Sequence, residues 1–137
     1  MLHVRRVLET AIYCDNLAKT VAFYKDLLDL EPMGASDRVV TFHAGEGTVL
    51  LLFQRGVSDH PSDGPGGLVP GHVATGPAHF AFAVDKEDVS PWLERLQALR
   101  IPVESRVDWA RGGHSIYFRD PDGRSVELAT PGTWPCY

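Results

Sequence analysis

The stretch YFRDPDGRSVELAT, residues 117–130, decides how the chain is read. Pro121 and Gly123 suit positions i+1 and i+3 of a type I turn, so the flanking runs HSIYF and SVELA form a β-hairpin. The second strand, residues 125–129, places Glu127 between Val126 and Leu128. A carboxylate there faces either water or a pocket, because successive side chains of a strand point to opposite faces.

Working outward, the same order of elements occurs twice. In LETAIYCDNL (8–17), Leu8, Thr10 and Ile12 alternate with Glu9, Ala11 and Tyr13, and Asp15 or Asn16 can cap a following helix. Leu17, Val21, Tyr24, Leu27 and Leu28 then recur at helical spacing. Residues 39–43 and 48–53 are two β-rich runs joined by AGEG. In the second half, AHFAFAV (78–84) reads as a strand, and Asp85 or Ser90 caps a helix whose apolar stripe is Val89, Trp92, Leu93, Leu96 and Leu99. Pro91 is allowed at the first position of that helix.

The two copies keep register. Glu9 and His79 are 70 residues apart, and Gly47–Gly123 and Leu51–Glu127 are both 76 apart. The pattern is β-α-β-β with room for one more strand, duplicated, which gives an α+β chain. Module one covers about residues 1–54, module two about 77–137, and a Gly/Pro-rich linker or mobile loop the stretch between, all within one domain. By strand parity, one face carries Glu9, Ala11 and Tyr13 with Val49, Leu51 and Phe53. The matching face of the second copy carries His79, Ala81 and Ala83 with Ser125, Glu127 and Ala129. Small residues beside polar ones suggest a hollow. Two carboxylates and an imidazole meeting there form a reasonable set for a divalent ion.

Composition narrows the class of function. The chain has 137 residues, enough for one domain with a real core. A net charge of −5 argues against nucleic acid and anionic membrane as partners. No apolar run is long enough to span a bilayer, and the N-terminus lacks a signal-peptide pattern, so a soluble cytoplasmic protein is expected. Cys14 and Cys136 form neither a CxxC pair nor a disulfide framework. Phosphate-binding loops, HExxH and GxSxG are missing, and nothing suggests a covalent nucleophile.

Three segments, LETAIYCDNLAKTVAFYKDLLDLEP, AHFAFAVDKEDVSPWLERLQALRIPVE and, most specifically, GGHSIYFRDPDGRSVELATPGTW, resemble the vicinal oxygen chelate superfamily. It includes glyoxalase I, fosfomycin-resistance proteins, extradiol dioxygenases and bleomycin-binding proteins. The resemblance implies two tandem βαβββ modules in a cup-shaped mixed sheet, with helices on the outer face. It maps the metal-ligand positions onto Glu9, Leu51, His79 and Glu127, of which Leu51 cannot ligate. The harder Glu-His-Glu set favours Mn²⁺, Mg²⁺, Zn²⁺ or Ni²⁺ and fits a dioxygenase iron less well.

Two functions follow as expectations. The first is a glyoxalase-like, metal-dependent enzyme that binds a small substrate through two adjacent oxygens, with isomerase, lyase, transferase and dioxygenase chemistry all open. Glu127 and Glu9 are its candidate bases, and Tyr13, Leu51, Phe53, His72, Trp109, His114 and Tyr117 its candidate pocket residues. His72 reads either as a fourth ligand or proton shuttle, or as a loop histidine in water. The alternative function is a metal-free module that sequesters a small, cationic or flat ligand in the same cleft, as in the bleomycin-binding relatives. A homodimer is expected in either case, because members of the family commonly dimerise.

Overall fold

Parallel strands cannot be joined by a tight turn and need a crossover, usually a helix. This requirement explains both halves of the chain. The computed structural model describes residues 1–137. They divide into two units, Met1–Thr75 and Gly76–Tyr137.

In the first unit, β1 (Glu9–Cys14) leads into α1 (Leu17–Leu28), followed by β2 (Gly34–Ala35), β3 (Val39–His43) and β4 (Val49–Gln54). The sheet order is β1-β4-β3-β2; β1 runs parallel to β4, and the other pairs are antiparallel. Helix α1 starts at Asn16, whose extended backbone and side chain, accepting from the Lys19 N–H at 3.0 Å, form an N-cap. Its buried face is Leu17, Thr20, Tyr24 and Leu27. Thr20 is fully buried, whereas the expected Val21 and Leu28 are only half-buried. Ile12, Val40, Phe42, Leu50 and Leu52 supply the buried side of the sheet.

The second unit repeats the arrangement. It contains β7 (His79–Ala83), α2 (Val89–Ala98), β8 (Val103–Asp108), β9 (His114–Arg119) and β10 (Ser125–Ala129), in the order β7-β10-β9-β8. Again the two outer members of the crossover, β7 and β10, are parallel. Each unit is therefore a βαβββ module with a mixed four-stranded sheet. Leu96, Ile116, Phe118, Val126 and Leu128 make its core.

Helix α2 departs from expectation at its start. A single 3₁₀ turn, Lys86–Asp88, precedes it, and neither Asp85 nor Asp88 makes a side-chain cap. Ser90 lies inside the helix, and Pro91 is its third residue. Proline is tolerated there because first-turn N–H groups have no intrahelical acceptor. The helix closes in a Schellman motif: Arg100, at φ 56°, donates its N–H to Gln97, and Ile101 donates to Leu96.

The Gly/Pro-rich stretch between the modules has order of its own. It forms a small hairpin of β5 (Ser62–Gly64) and β6 (Gly67–Val69). Arg55 pins it by donating to Asp15, to the Ala74 carbonyl and to the Tyr13 carbonyl. Ser58 and His72 exchange two further hydrogen bonds. Neither cysteine forms a disulfide, and no helix is long and apolar enough to cross a membrane.

The β9–β10 turn is held by several hydrogen bonds. Gly123 donates its N–H to the Asp120 carbonyl at 2.9 Å and has φ +79°. The Asp120 carboxylate accepts from the backbone N–H groups of Asp122 and Arg124 and from the Arg124 guanidinium at 2.8 Å. Asp120 and Arg124 are only 5% and 4% exposed. Arg124→Met leaves a buried carboxylate without its cation and should lower the unfolding free energy by about 3 kcal/mol. Urea denaturation checks this against Arg119→Ala, whose exposed pair with Glu104 makes its loss much the smaller.

Candidate functional site

In the second unit the strand register gathers a polar cluster on the face away from the core. Glu127 on β10 lies opposite Ala81 of β7 and Tyr117 of β9, and Ser125 lies opposite His79. Glu127 is only 6% exposed, so it does not face open water. His79 Nε2 stands 3.3 Å from Glu127 Oε2, while His79 Nδ1 lies 3.0 Å from the Ser125 carbonyl oxygen.

These two contacts fix the imidazole chemistry. A carbonyl oxygen only accepts, so Nδ1 must carry the proton in that bond. In the neutral ring Nε2 then presents a lone pair, and it points at a carboxylate that also offers only lone pairs. The contact is favourable when something positive lies between them, either a proton on Nε2 or a cation.

The other oxygen of Glu127 is held separately. The Trp109 indole N–H donates to Ser115 Oγ at 2.7 Å, and Ser115 Oγ donates to Glu127 Oε1 at 2.5 Å. Tyr117 stacks on His79, with ring centroids 6.1 Å apart and planes 29° apart. Burial, and next the Glu127 carboxylate beside it, push the Tyr117 phenol above its ordinary pKa.

The matching face of the first unit is aromatic. In the β1–β4 register Glu9 lies opposite Val49, Ala11 opposite Leu51 and Tyr13 opposite Phe53. Tyr13 stacks on Phe53, and its hydroxyl is 2.7 Å from His72 Nδ1. Phe53 meets His72 edge-on at 4.8 Å. Beside them is a cavity of about 350 Å³ bounded by Arg38, Val39, Phe53, Ser58, His60 and His72. Glu9 is exposed and Leu51 half-buried.

Comparison with known proteins decides the family. The pattern of the Glyoxalase/Bleomycin resistance protein/Dioxygenase superfamily matches residues 6–128. The chain belongs to this superfamily. It is similar to the lactoylglutathione lyase of Agrobacterium tumefaciens, known from a crystal structure, with 38% identity, 96% of this chain and 98% of that one covered, and a TM-score of 0.86. It also resembles metallothiol transferase FosB of Staphylococcus saprophyticus, 29% identical over 84% of this chain and 70% of that protein. The fosfomycin resistance protein FosX of Listeria monocytogenes shares the fold at a TM-score of 0.63 and 21% identity, over 97% of each chain.

For this superfamily member, the structure sorts the expected site residues. His79, Glu127, Tyr117 and Trp109 fall in one cluster, Trp109 joined to Glu127 by Ser115, a residue the sequence alone does not single out. Its signal was the same alternation that exposed Tyr117, two residues further along β9. Tyr13, Phe53 and His72 meet in a second cluster, in the first unit. His114 joins neither; it lies on the face of β9 shared by Ile116 and Phe118, with Nδ1 against Asp108. No three His, Cys, Asp or Glu side chains gather into a metal-binding group.

His79 and Glu127 nonetheless fit a divalent ion as two of its ligands. One nitrogen and one oxygen lone pair face the same space, each donor's other polar atom is already hydrogen-bonded, and this outer bonding fixes the tautomer. The same geometry makes Tyr117 a reporter of Glu127. Its raised pKa means that the folded state holds the phenol proton longer than the unfolded chain does. The resulting stability is present below pH ~10 and is lost as pH rises through the folded pKa. Glu127→Gln should lower the Tyr117 titration midpoint while leaving the part due to burial, as read by ¹³C NMR of the ring.

Proposed function

We propose that the chain is a divalent-metal-dependent, glyoxalase-like enzyme acting on a small substrate through two adjacent oxygens. The observation that carries this reading is the 3.3 Å approach of His79 Nε2 to the buried Glu127 Oε2. Its relatives support it by name, one a metallothiol transferase and one a lactoylglutathione lyase. Both names involve a thiol, so a transferase or lyase acting on a thiol or thiol adduct is favoured over a dioxygenase.

In this reading His79 and Glu127 are ligands. Glu9 is proposed as a third on the sequence repeat, supplied by this chain or by a second copy in a homodimer. When bound, an ion such as Mn²⁺, Mg²⁺, Zn²⁺, Ni²⁺ or Fe²⁺ supplies Lewis-acid polarisation of substrate oxygen. The protein supplies the rest. Ser115 holds one oxygen of Glu127, and the neutral Tyr117 phenol keeps a hydrogen-bond donor beside the reacting centre. Phe53 and Tyr13 are substrate-pocket candidates by their place in the sequence repeat, and His72 by its contact with both. Glu127, and by its place in the repeat Glu9, are the candidate bases.

The test is metal content by plasma mass spectrometry on untagged protein purified without chelator, followed by back-titration of stripped protein. About one tightly held ion per chain is expected, with affinity lowered by more than about a hundredfold in Glu127→Gln, beyond the loss usual for an outer-shell change. A protein that retains and rebinds no divalent ion contradicts the reading. His79 and Glu127 would then be an imidazolium–carboxylate pair in a metal-free binding module.

A further inference from the structure

We propose that Trp109 is a positioning residue for Glu127, acting through Ser115. The donor inventory forces a direction on the chain. An indole N–H only donates, and a serine hydroxyl has a single proton. With the Trp109 N–H occupying one Ser115 lone pair at 2.7 Å, the Ser115 proton is left to point at Glu127 Oε1. Ser115 is fully buried, so these two partners and not solvent satisfy its hydroxyl. Oε1 is thereby kept as an acceptor, and Oε2 is the oxygen turned toward His79 Nε2.

The loop that carries Trp109 is built to hold it there. Trp109 exchanges backbone hydrogen bonds across its turn, donating to the Gly113 carbonyl and accepting from Gly112, both at 2.9 Å. The turn packs backbone-to-backbone on the segment after β10. A Cβ at Gly113 would lie 2.2 Å from the Thr133 nitrogen, and one at Gly132 would lie 2.5 Å from the Gly113 nitrogen. Gly112 and Gly132 also have φ of +86° and +98°, where side chains are strained. Trp109 itself keeps 40% of its surface exposed, so it is not a core residue. Its one polar hydrogen goes to Ser115.

The effect on metal affinity rests on the reading of Glu127 as a ligand, whereas the relay itself does not. Two measurements keep them apart. The first is the indole ¹⁵N–¹H spectrum of the metal-free protein, in which the three tryptophans give separate signals. Glu127→Gln and Ser115→Ala should each shift the Trp109 signal and leave those of Trp92 and Trp134 in place. A Trp109 signal unmoved by either change overturns the relay.

The second is Mn²⁺ titration calorimetry on Trp109→Phe, which keeps the ring and removes the donor. Affinity should fall by about ten- to a hundredfold, with thermal stability close to the parent protein and Trp134→Phe as an unaffected control. Trp109→Phe combined with Ser115→Ala should be no weaker than Ser115→Ala alone, because both remove one relay. Parent-like affinity in Trp109→Phe, or losses that multiply in the double variant, overturns the proposal. If the parent protein binds no Mn²⁺, the metal reading falls, and the indole spectrum alone decides whether Trp109 positions Glu127.

Discussion

One contact in the second unit is favourable only when positive charge lies within it. A buried carboxylate oxygen and an imidazole nitrogen face each other at 3.3 Å, each presenting a lone pair once Nδ1 is committed to the Ser125 carbonyl. A carboxylate so enclosed carries a large desolvation cost unless it is paired or hydrogen-bonded. The structure answers on one oxygen with Ser115 and, through it, Trp109. On the other oxygen it leaves a place for positive charge. That asymmetry sets Glu127 apart from a buried structural ion pair such as Asp120–Arg124, where the carboxylate is met by backbone N–H groups and a guanidinium.

The fold explains how such a contact is maintained. β10 is one of the two inner strands of its sheet, paired in parallel with β7 and antiparallel to β9. Glu127 is therefore fixed from both sides by ladder hydrogen bonds. The Asp120–Arg124 turn fixes the register of the hairpin, and register decides which face every β10 side chain takes. A slip of one residue would bury Glu127 in the hydrocarbon core and turn Val126 and Leu128 outward. The first unit has the same strand order with a different surface. Leu51 occupies the place of Glu127, and Tyr13, Phe53 and His72 form an aromatic patch. The duplicated scaffold thus carries two different surfaces, one with a buried carboxylate beside an imidazole and one with an aromatic patch.

Much of this was legible in the sequence because period-two alternation and a repeat offset are direct consequences of strand geometry. The offset of 76 residues between Leu51 and Glu127 matched their places in β4 and β10, and parity put Glu127 and His79 on one face. The superfamily was legible from the same segments. Features that depend on three-dimensional approach were not. Ser115 is unremarkable in sequence and matters only because β9 sets it between Trp109 and Glu127. The helix start at Val89 depended on a preceding 3₁₀ turn that local propensity does not signal. The order in residues 55–76 comes from Arg55 reaching back to Asp15 and Tyr13, a contact over some 40 residues. His114 follows a glycine turn as a pocket-rim residue would, yet its parity on β9 turns it to the core side.

The most direct test of the central claim is the state of the His79 ring, read by long-range ¹⁵N–¹H NMR at neutral pH before and after Zn²⁺ is added. With Zn²⁺ bound, the ring should keep a proton at Nδ1 alone, with the Nε2 resonance displaced by the ion. A ring protonated on both nitrogens and unmoved by Zn²⁺ would show a closed imidazolium–carboxylate pair and contradict the account.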